Sequence, residues 1–239
     1  MKSYTTFIKN DMRIVFRDKT LIIMFFLPII LIIICRLLVP FISNYISGLN
    51  EHYWIILASF CILSGSTPAF LTAFLMLDEK DENLIPVLNI TPLPYSKLLS
   101  YRVSFLMLTS FIFSIIFLLL NGLASYSFLR IISTSLLVSF VPAILIMLII
   151  PFAKNKIEGV TLFKGVNVLL FIPIIGFFVA PAWKAIIGII PFYWIYDMLQ
   201  TNTESELLLT LVPGLLINCA FFYLLILFFN KKFIKRIIH

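Results

Sequence analysis

Residues 53–77 read YWIILASFCILSGSTPAFLTAFLML, a run of apolar and small side chains without a charge. The residues that follow, Asp78-Glu79-Lys80-Asp81, are all charged. A helix of about 20 predominantly apolar residues crosses the ~30 Å hydrocarbon layer of a bilayer. The run is therefore long enough to span a membrane, and the change in composition at residue 78 marks the point where the chain leaves it.

Further windows of similar length and composition occur along the chain. The predicted spans cover about 20–42, 53–77, 98–121, 128–153, 160–182 and 207–230. These continuous runs are roughly twice as long as the ~10-residue alternating segments of a membrane β-barrel. We therefore predict an all-α integral membrane protein, in which residues 1–239 form a single transmembrane domain with six helices.

The composition excludes several classes of protein. Hydrophobic residues make up 62% of the 239 residues and charged residues only 12%, whereas a soluble domain has roughly half and roughly a quarter. A cytosolic enzyme and a nucleic-acid-binding domain are therefore poor fits. The three cysteines stand singly inside apolar runs, which is not the spacing of a disulfide framework or a metal site.

Lysine and arginine are distributed unevenly between the two sides of the predicted bundle. The N-terminal segment, the loops after the second and fourth spans and the C-terminal tail hold most of them, whereas the other loops hold only Arg130 and Lys184. Cytoplasmic loops accumulate these residues. We therefore expect a multi-pass protein of the cell membrane with both termini in the cytoplasm, and the Ile-, Phe-, Lys- and Asn-rich usage suggests a bacterial source. The basic surplus then faces anionic lipid headgroups rather than nucleic acid.

The N-terminal residues 1–19 carry a helical pattern. Their large apolar residues are Tyr4, Phe7, Ile8, Met12 and Val15. These recur at helical spacing opposite basic side chains, which predicts an amphipathic helix lying in the membrane interface. A frayed basic tail that only sets the topology is the alternative.

Residues 183–206, on the predicted external side, are too apolar for a solvated loop and too broken to span. We predict a re-entrant segment of one or two short helices that dips into the outer leaflet. Its aromatic residues are Trp183, Tyr193, Trp194 and Tyr196. Tyrosine and tryptophan are enriched at headgroup level, and we expect these four to form an aromatic belt there.

The loop from 78 to 97 reads DEKDENLIPVLNITPLPYSK and changes from acidic to apolar along its length. Asn83 fits a helix N-cap, and Pro86 fits the third helical position, where its missing N–H had no intrahelical partner. Pro92 ends this helix at Thr91. A short cytoplasmic helix of this kind needs something to cover its apolar side, and a partner protein is the first candidate. Packing on the chain's own spans or on lipid is the alternative.

The residues that other kinds of transport or catalysis require are missing from the predicted spans. None of the 11 acidic residues falls in the core of a span, which argues against coupling to protons or sodium. The chain has no G-x-x-x-x-G-K-[ST] phosphate loop, and its two histidines, His52 and His239, lie outside the spans. We expect neither enzymatic activity nor a cofactor or metal in this chain.

The whole chain resembles the ABC type-2 permeases, the membrane subunits of ATP-driven exporters. It shares with them the in-plane N-terminal helix, six spans, both ends inside and the acidic-then-apolar loop between the second and third spans. In that family the loop commonly reads E-x-E-x-G-T-L-E-x-L-x-x-T-P-L. The matching residues are Glu79, Asp81, Leu88, Thr91, Pro92 and Leu93. Asn83, Leu84 and Pro86 depart from the glycine, the threonine and the second glutamate of the pattern.

The resemblance implies partners and a mechanism. Two copies of a separate cytoplasmic ABC ATPase subunit, which carry the ATP and Mg, would dock on the loop helix and on the loop after the fourth span. Two permease chains, identical or homologous, would form the pathway, and closure of the ATPase pair would rock the two bundles. The implied docking residues are Glu79, Asp81, Glu82, Leu84, Ile85, Leu88, Thr91, Lys156 and Glu158.

In this family the second and fifth spans generally line the pathway at the dimer interface. The corresponding residues are Ser64, Gly65, Ser66 and Thr67 in the second span and Phe171, Phe177 and Phe178 in the fifth. Small residues equally suit close packing within one chain. A phenylalanine stripe equally suits a lipid-facing or core surface, so both alternatives stay open.

Arg36 is the one charge that the sequence places inside a span. At 1.5 Å per residue it lies roughly 9 Å from the outer end of the first span, and its side chain is long enough to reach the outer headgroups. Contact with an anionic group of a substrate, or with a partner across the dimer, is the alternative.

These observations favour one function over two others. We expect the permease subunit of an ABC exporter that moves a hydrophobic or amphipathic substrate, such as a drug, a toxic peptide or a lipid-like molecule, out of the cytoplasm or the inner leaflet. The alternative is a non-transporting membrane anchor or scaffold that recruits a cytosolic partner. An ion-coupled carrier is disfavoured by the acid-free spans.

Overall fold

The regular secondary structure in the described part of the chain is helical. The computed structural model describes residues 11–46, 48–82, 84, 95–179, 184, 186–201, 203 and 205–229. The α-helices are Lys19–Ile33, Val39–Ser43, Tyr53–Asp81, Tyr95–Leu120, Phe128–Ile149, Lys156–Leu169, Tyr193–Gln200 and Leu207–Phe229. The structure also contains a π-helical turn, Ile34–Leu38, and two 3-10 helices, Leu49–His52 and Ile172–Phe177. No strand occurs in the described ranges.

The helices join into stretches that are long and apolar enough to cross a membrane. Numbered as spans 1 to 6, they are Lys19–Ser43, Leu49–Asp81, Lys97–Leu120, Phe128–Ile149, Lys156–Phe177 and Leu207–Phe229. The predicted all-α membrane fold with six spans is thereby confirmed for the part of the chain that the structure describes.

Spans 2 and 4 form the centre of the bundle. In their most apolar stretches they bury 78% and 83% of their residues, whereas the other four spans bury between 17% and 33%. Spans 1, 3, 5 and 6 therefore surround this pair and each turns an apolar face outwards, where lipid covers it. In hydrocarbon the central contact cannot depend on the exclusion of water, so it depends on close packing of small side chains.

Gly65 is the closest point of that central packing. A Cβ atom at this position would collide with Val138 Cγ1 of span 4 and would lie 2.8 Å from Ser110 Oγ of span 3. Ser110 Oγ itself donates to the Val138 carbonyl at 3.2 Å. The missing side chain therefore allows spans 2, 3 and 4 to meet.

Replacing Gly65 with alanine is expected to lower the free energy of unfolding by about 1–3 kcal/mol, because the added methyl group overpacks a closed contact. Thermal unfolding of the purified chain in detergent measures this. Gly165→Ala is the matched control, because a Cβ at Gly165 meets nothing within 4 Å. Equal loss in both variants would show that the contact at Gly65 is not tight.

Several predicted span ends differ from the observed ones by a few residues, and three of these differences have local reasons. Span 2 continues to Asp81 instead of 77, because its charged last turn finds partners within the chain. Span 4 ends at Ile149 instead of 153, since Pro151 has no N–H with which to continue the helix. Span 5 begins at Lys156 instead of 160, because the Asn155 side chain caps it.

The two ends of the bundle differ in chemistry. At one end, which we call the charged end, Arg102 at the start of span 3 binds Asp11 of the N-terminal segment and Glu79 at the end of span 2, and Lys80 of span 2 binds the loop 150–155. The opposite end carries the loops 44–52 and 121–127 and the segment 186–206. Of the predicted N-terminal helix, residues 11–15 are helical and Val15 packs with Leu21, Phe70 and Leu71. Residues 1–10 lie outside the described ranges.

The helix Tyr193–Gln200 fills the opposite end from inside. It packs between spans 2, 4 and 6, and the Tyr196 ring is fully buried with its hydroxyl 3.2 Å from Ser59 Oγ. The prediction that Tyr193 and Tyr196 belong to an aromatic belt at headgroup level is therefore wrong, because both side chains are buried against the chain's own spans. Trp194 is half-buried and donates to the Gly188 carbonyl, and Trp183 lies outside the described ranges.

Candidate functional site

Arg102 organises the charged end. It lies one and a half turns into span 3, and its side chain is only 5% exposed. Its Nη1 and Nη2 donate to the two carboxylate oxygens of Glu79, each at 2.7 Å. This bidentate arrangement is the strongest geometry that an arginine makes with a carboxylate, and it joins the end of span 2 to the start of span 3.

Asp11 binds the same guanidinium from the N-terminal segment. Arg102 Nη2 lies 3.1 Å from Asp11 Oδ1, and Nε lies 3.3 Å from Oδ2. Burial raises the pKa of Asp11, against the opposing effect of the Arg102 guanidinium, and the neighbouring Glu79 adds to the rise. Two carboxylates on one cation leave a negative surplus at this point. We call Asp11, Glu79 and Arg102 the arginine clasp.

A second set of contacts joins span 2 to span 5. Lys156 Nζ lies 2.7 Å from Asp78 Oδ1 and 3.5 Å from the centre of the Phe74 ring. The Lys156 backbone N–H donates to Asp81 Oδ2 at 3.0 Å. At the end of span 2, next to Asp81, Lys80 Nζ donates to the Ala153 carbonyl at 2.6 Å. We call Asp78, Asp81 and Lys156 the lysine clasp.

The loop before span 5 closes on itself beside the lysine clasp. Asn155 Oδ1 accepts from the Glu158 N–H at 2.9 Å, and Glu158 Oε2 accepts from the Lys154 N–H at 2.8 Å. An acid in the first turn also suits the positive end of the helix dipole. Behind it, Gly159 lies so close to Leu77 that a side chain would collide with it. The start of span 5 is therefore held against span 2.

The residues implied as the ATPase-docking surface fall into three groups. Glu79, Asp81, Lys156 and Glu158 are engaged in bonds within the chain. Glu82 and Leu84 are exposed beyond the end of span 2. Ile85, Leu88 and Thr91 lie outside the described ranges, so the docking role stays a prediction.

The role of Arg102 as a buried structural cation was not predicted from the sequence. The count of basic residues assigned Arg102 to the loop between the second and third spans, although the predicted span 98–121 includes it, and Arg36 was predicted to be the only charge inside a span. That assignment is wrong, because Arg102 and Arg130 both lie within spans and are buried, whereas Arg36 is exposed. The sequence contains a signal for this role. Acidic residues outnumber basic ones at 78–82, and their negative charge favours a cation nearby.

A cavity of about 250 Å³ extends from the arginine clasp into the bundle, between spans 1, 2 and 3. Asp11, Tyr101 and Arg102 line its charged end. Its walls are mainly apolar and include Phe25, Leu71, Leu75, Phe105, Leu106 and Phe113, with Thr72 and Thr109 as polar members. The cavity can therefore hold an apolar body with a polar group next to the clasp.

The small residues of span 2 lie inside the chain. Ser64, Gly65, Ser66 and Thr67 are all buried, and the hydroxyls of Ser66 and Thr67 donate to carbonyls one turn earlier in their own helix. In this structure these residues pack within the chain, which was the alternative to a position at a dimer interface. A role at a dimer interface stays a prediction.

The three phenylalanines of span 5 do not share one environment. Phe177 packs inwards, with its ring centre 4.9 Å from those of both Trp54 and Tyr193. Phe178 is exposed and lies parallel to the His52 ring at 6.2 Å. Phe171 is half-buried. A pathway-lining role for the three therefore stays a prediction, and Phe177 also anchors the helix Tyr193–Gln200.

No group of three or more His, Cys, Asp or Glu side chains in the described ranges is arranged to hold a metal ion. The cysteines Cys35, Cys61 and Cys219 are all free. The ion pairs in the described ranges, Arg102 with Asp11 and Glu79 and Lys156 with Asp78, all lie at the charged end. Six membrane-spanning helices define a multi-pass membrane protein, and a mainly apolar cavity that reaches the charged end is an arrangement that a transport protein can use.

Comparison with known proteins identifies the family. A sequence-family profile described as Rv2686c-like, fluoroquinolones export permease protein Rv2686c-like, matches residues 11–226. The chain therefore belongs to the Rv2686c-like family of export permeases. The predicted resemblance to ABC type-2 permeases is confirmed, and an exporter permease subunit rather than an enzyme is the class that follows.

Two relatives from Mycobacterium tuberculosis are similar over most of their length. They are the fluoroquinolones export permease protein MT2760 of strain CDC 1551 / Oshkosh and the fluoroquinolones export permease protein Rv2686c of strain ATCC 25618 / H37Rv. Each is 26% identical over 201 residues, which cover 81% of this chain and 80% of the relative. No solved structure matches the chain.

Proposed function

We propose that this permease subunit is driven by a separate cytoplasmic ABC ATPase and exports an amphipathic molecule with an apolar body. The observation that carries the proposal is the pair of clasps at the charged end. They join the end of span 2 to the starts of spans 3 and 5. A force applied to the segment between spans 2 and 3 would therefore move all three spans together.

The segment of the chain that contains the predicted loop helix connects those joined ends. Leu84 is exposed just past the end of span 2, and span 3 begins at Lys97. An ATPase that binds the apolar side of this helix would act on a rigid base, which is what a rigid-body rocking mechanism requires. In this arrangement the charged end lies on the cytoplasmic side of the cell membrane. The distribution of lysine and arginine also favours this orientation.

The cavity beside the arginine clasp supports the choice of substrate class. Its walls suit an aromatic or aliphatic body, and the negative surplus of Asp11 and Glu79 suits a positively charged group. The relatives are named as fluoroquinolone export permeases. We propose planar aromatic drugs, with fluoroquinolones first, as the molecules to test on this chain, and a second permease chain, identical or homologous, as its partner in the complex.

The test is substrate-stimulated ATP hydrolysis by the purified complex of the permease with its ATPase subunit in proteoliposomes. A panel of planar aromatic drugs, apolar peptides and lipids is compared, and stimulation together with ATP-dependent accumulation of the same compound supports the proposal. A complex without an ATPase, or one that hydrolyses ATP without moving any member of the panel, would favour the anchor or scaffold function.

Filling the cavity gives a sharper test of its role. Thr109→Phe puts a ring into the cavity, so the drug concentration needed for half-maximal stimulation is expected to rise about tenfold, which corresponds to a loss of ~1.4 kcal/mol of binding. Basal ATP hydrolysis should stay the same. Leu108→Phe is the matched control, because Leu108 is the neighbouring residue and its side chain is exposed away from the cavity. Equal responses of the two variants would place the substrate elsewhere.

A further inference from the structure

Arg36 lies in a distorted turn of span 1. The turn Ile34–Leu38 is π-helical, and the Val39 N–H bonds to the Ile34 carbonyl five residues earlier. Pro40, one residue further, has no N–H to return to the Arg36 carbonyl in the regular α-helical pattern. Isolated π-helical turns occur frequently at functional sites, and here the turn holds the arginine.

The loop after span 3 is built rigidly beside this turn. The Asn121 side chain is buried, and its Oδ1 accepts from the N–H groups of Leu123 and Ala124 at 2.7 and 3.0 Å. Its Nδ2 donates to the carbonyls of Leu118 and Ala124 at 2.6 and 3.1 Å. One amide side chain therefore determines the course of the loop.

Gly122 brings this loop against Arg36. Its φ of +73° is left-handed, which glycine adopts without strain. A Cβ atom here would lie 3.0 Å from both Cγ and Nε of Arg36. The absence of a side chain thus allows the arginine to lie along the loop. A cavity of about 380 Å³ opens at this place, lined by Arg36, Asn121, Gly122, Ser125, Tyr126 and mainly apolar neighbours.

Arg36 is the only charged residue among those that line this cavity. None of its lining residues is Asp or Glu, and no carboxylate in the described ranges lies within ion-pair distance of Arg36. A second guanidinium, that of Arg130, lies 6.0 Å from the centre of the Tyr126 ring that lines the cavity. Arg102, by contrast, has two carboxylates. An arginine in a membrane-spanning helix is stabilised by an anionic partner, and the described residues of this chain supply none to Arg36.

The geometry points to a phospholipid whose phosphate binds Arg36 and the loop 121–126 at the end of the bundle opposite the charged end. Guanidinium groups bind phosphate oxygens in pairs. Arg36 lies between Ile33 and Leu37 on span 1, and these side chains are 52% and 70% exposed. This face of the span is therefore open to lipid chains, and at 1.5 Å per residue Arg36 lies about 10 Å from the helix end at Ser43, within side-chain reach of headgroup depth.

The experiment measures which molecules stay bound to the purified full chain. The chain is delipidated in detergent, incubated with phosphatidylglycerol, with a diacylglycerol of the same acyl chains or with inorganic phosphate, and examined by native mass spectrometry. We expect phosphatidylglycerol to be retained at least about tenfold more than diacylglycerol, and Arg36→Gln to remove most of that difference. Equal retention of the two lipids would reduce the site to an apolar groove and overturn the proposal.

Two further variants keep the result interpretable. Lys184→Gln removes a positive charge from an exposed residue at the same end and should leave retention unchanged. Arg36→Lys keeps the charge but loses the paired donors, so it should retain an intermediate amount, and it covers the case in which Arg36→Gln does not fold. The same loss in the Lys184 and Arg36 variants would show a diffuse charge effect. Displacement of the lipid by an equal concentration of inorganic phosphate would show a free-anion site instead of a lipid site.

Discussion

Arg102→Met is expected to lower the free energy of unfolding of the purified chain by about 3–5 kcal/mol, the usual cost of removing one partner from a buried ion pair. The side chain of Arg102 is almost completely buried, and it is the cation that holds both Asp11 and Glu79. Without it the two carboxylates face each other at a site with little access to water. Thermal or denaturant unfolding in detergent measures the loss.

The matched control for this prediction is Arg13→Met. Arg13 lies in the same N-terminal segment, and its side chain is exposed, so its removal should change the stability by less than about 0.5 kcal/mol. The double variant Arg102→Met with Glu79→Gln should be less destabilised than the sum of the two single variants, because the unpaired charge is then removed together with its partner. If Arg102→Met and Arg13→Met have equal free energies of unfolding, the arginine clasp does not contribute to the stability of the chain.

Leu88→Asp is expected to abolish co-purification of the ATPase with the permease. Leu88 lies on the apolar side of the helix predicted within 83–91, and a charge there would have to be buried without a partner against the ATPase. Central apolar contacts of an interface typically contribute about 2 kcal/mol or more, which corresponds to roughly 30-fold or more in affinity. The amount of ATPase that elutes with the tagged permease is the measurement.

Leu88→Met is the control for docking, because it keeps the volume and the apolar character of the side chain. It should leave the ATPase bound and export unchanged. If the ATPase stays bound to Leu88→Asp in undiminished amount, the docking surface is not this helix. Loss of binding in Ile157→Asp instead would place docking on the start of span 5, where Ile157 is exposed.

Arg102→Met and Leu88→Asp are expected to have different consequences for the chain. Loss of Arg102 acts on the base from which the loop helix leaves, so it should weaken the fold and the transfer of movement into the bundle together. Loss of Leu88 acts only on the contact with the ATPase, so the isolated chain should keep its stability. Measuring unfolding and co-purification on both variants therefore separates the support of the helix from the docking surface.

Several features of the site could be predicted from the sequence because they depend on residue types close together in the chain. The acidic residues at 78–81, followed by an apolar patch and Pro92, are enough to indicate the end of span 2, although the helix includes this acidic turn and does not end before it. Arg102 shows the limit of this reasoning. Its position near a span end is equally typical of a headgroup-facing arginine, and only its distance to Glu79 and Asp11 shows that it is a buried structural cation.

The sequence by itself determined the class of this protein: a chain with six apolar runs, acid-free span cores and an unequal distribution of lysine and arginine. Hydropathy and charge act through the composition of each segment, so they can be read without knowing which segments touch. Only the tertiary structure decided that spans 2 and 4 form the centre, that Tyr196 lies inside the bundle, and that Arg102 is paired while no described carboxylate pairs with Arg36. These outcomes depend on contacts between residues far apart in the chain, and in a bilayer lipid satisfies an apolar surface as well as protein does.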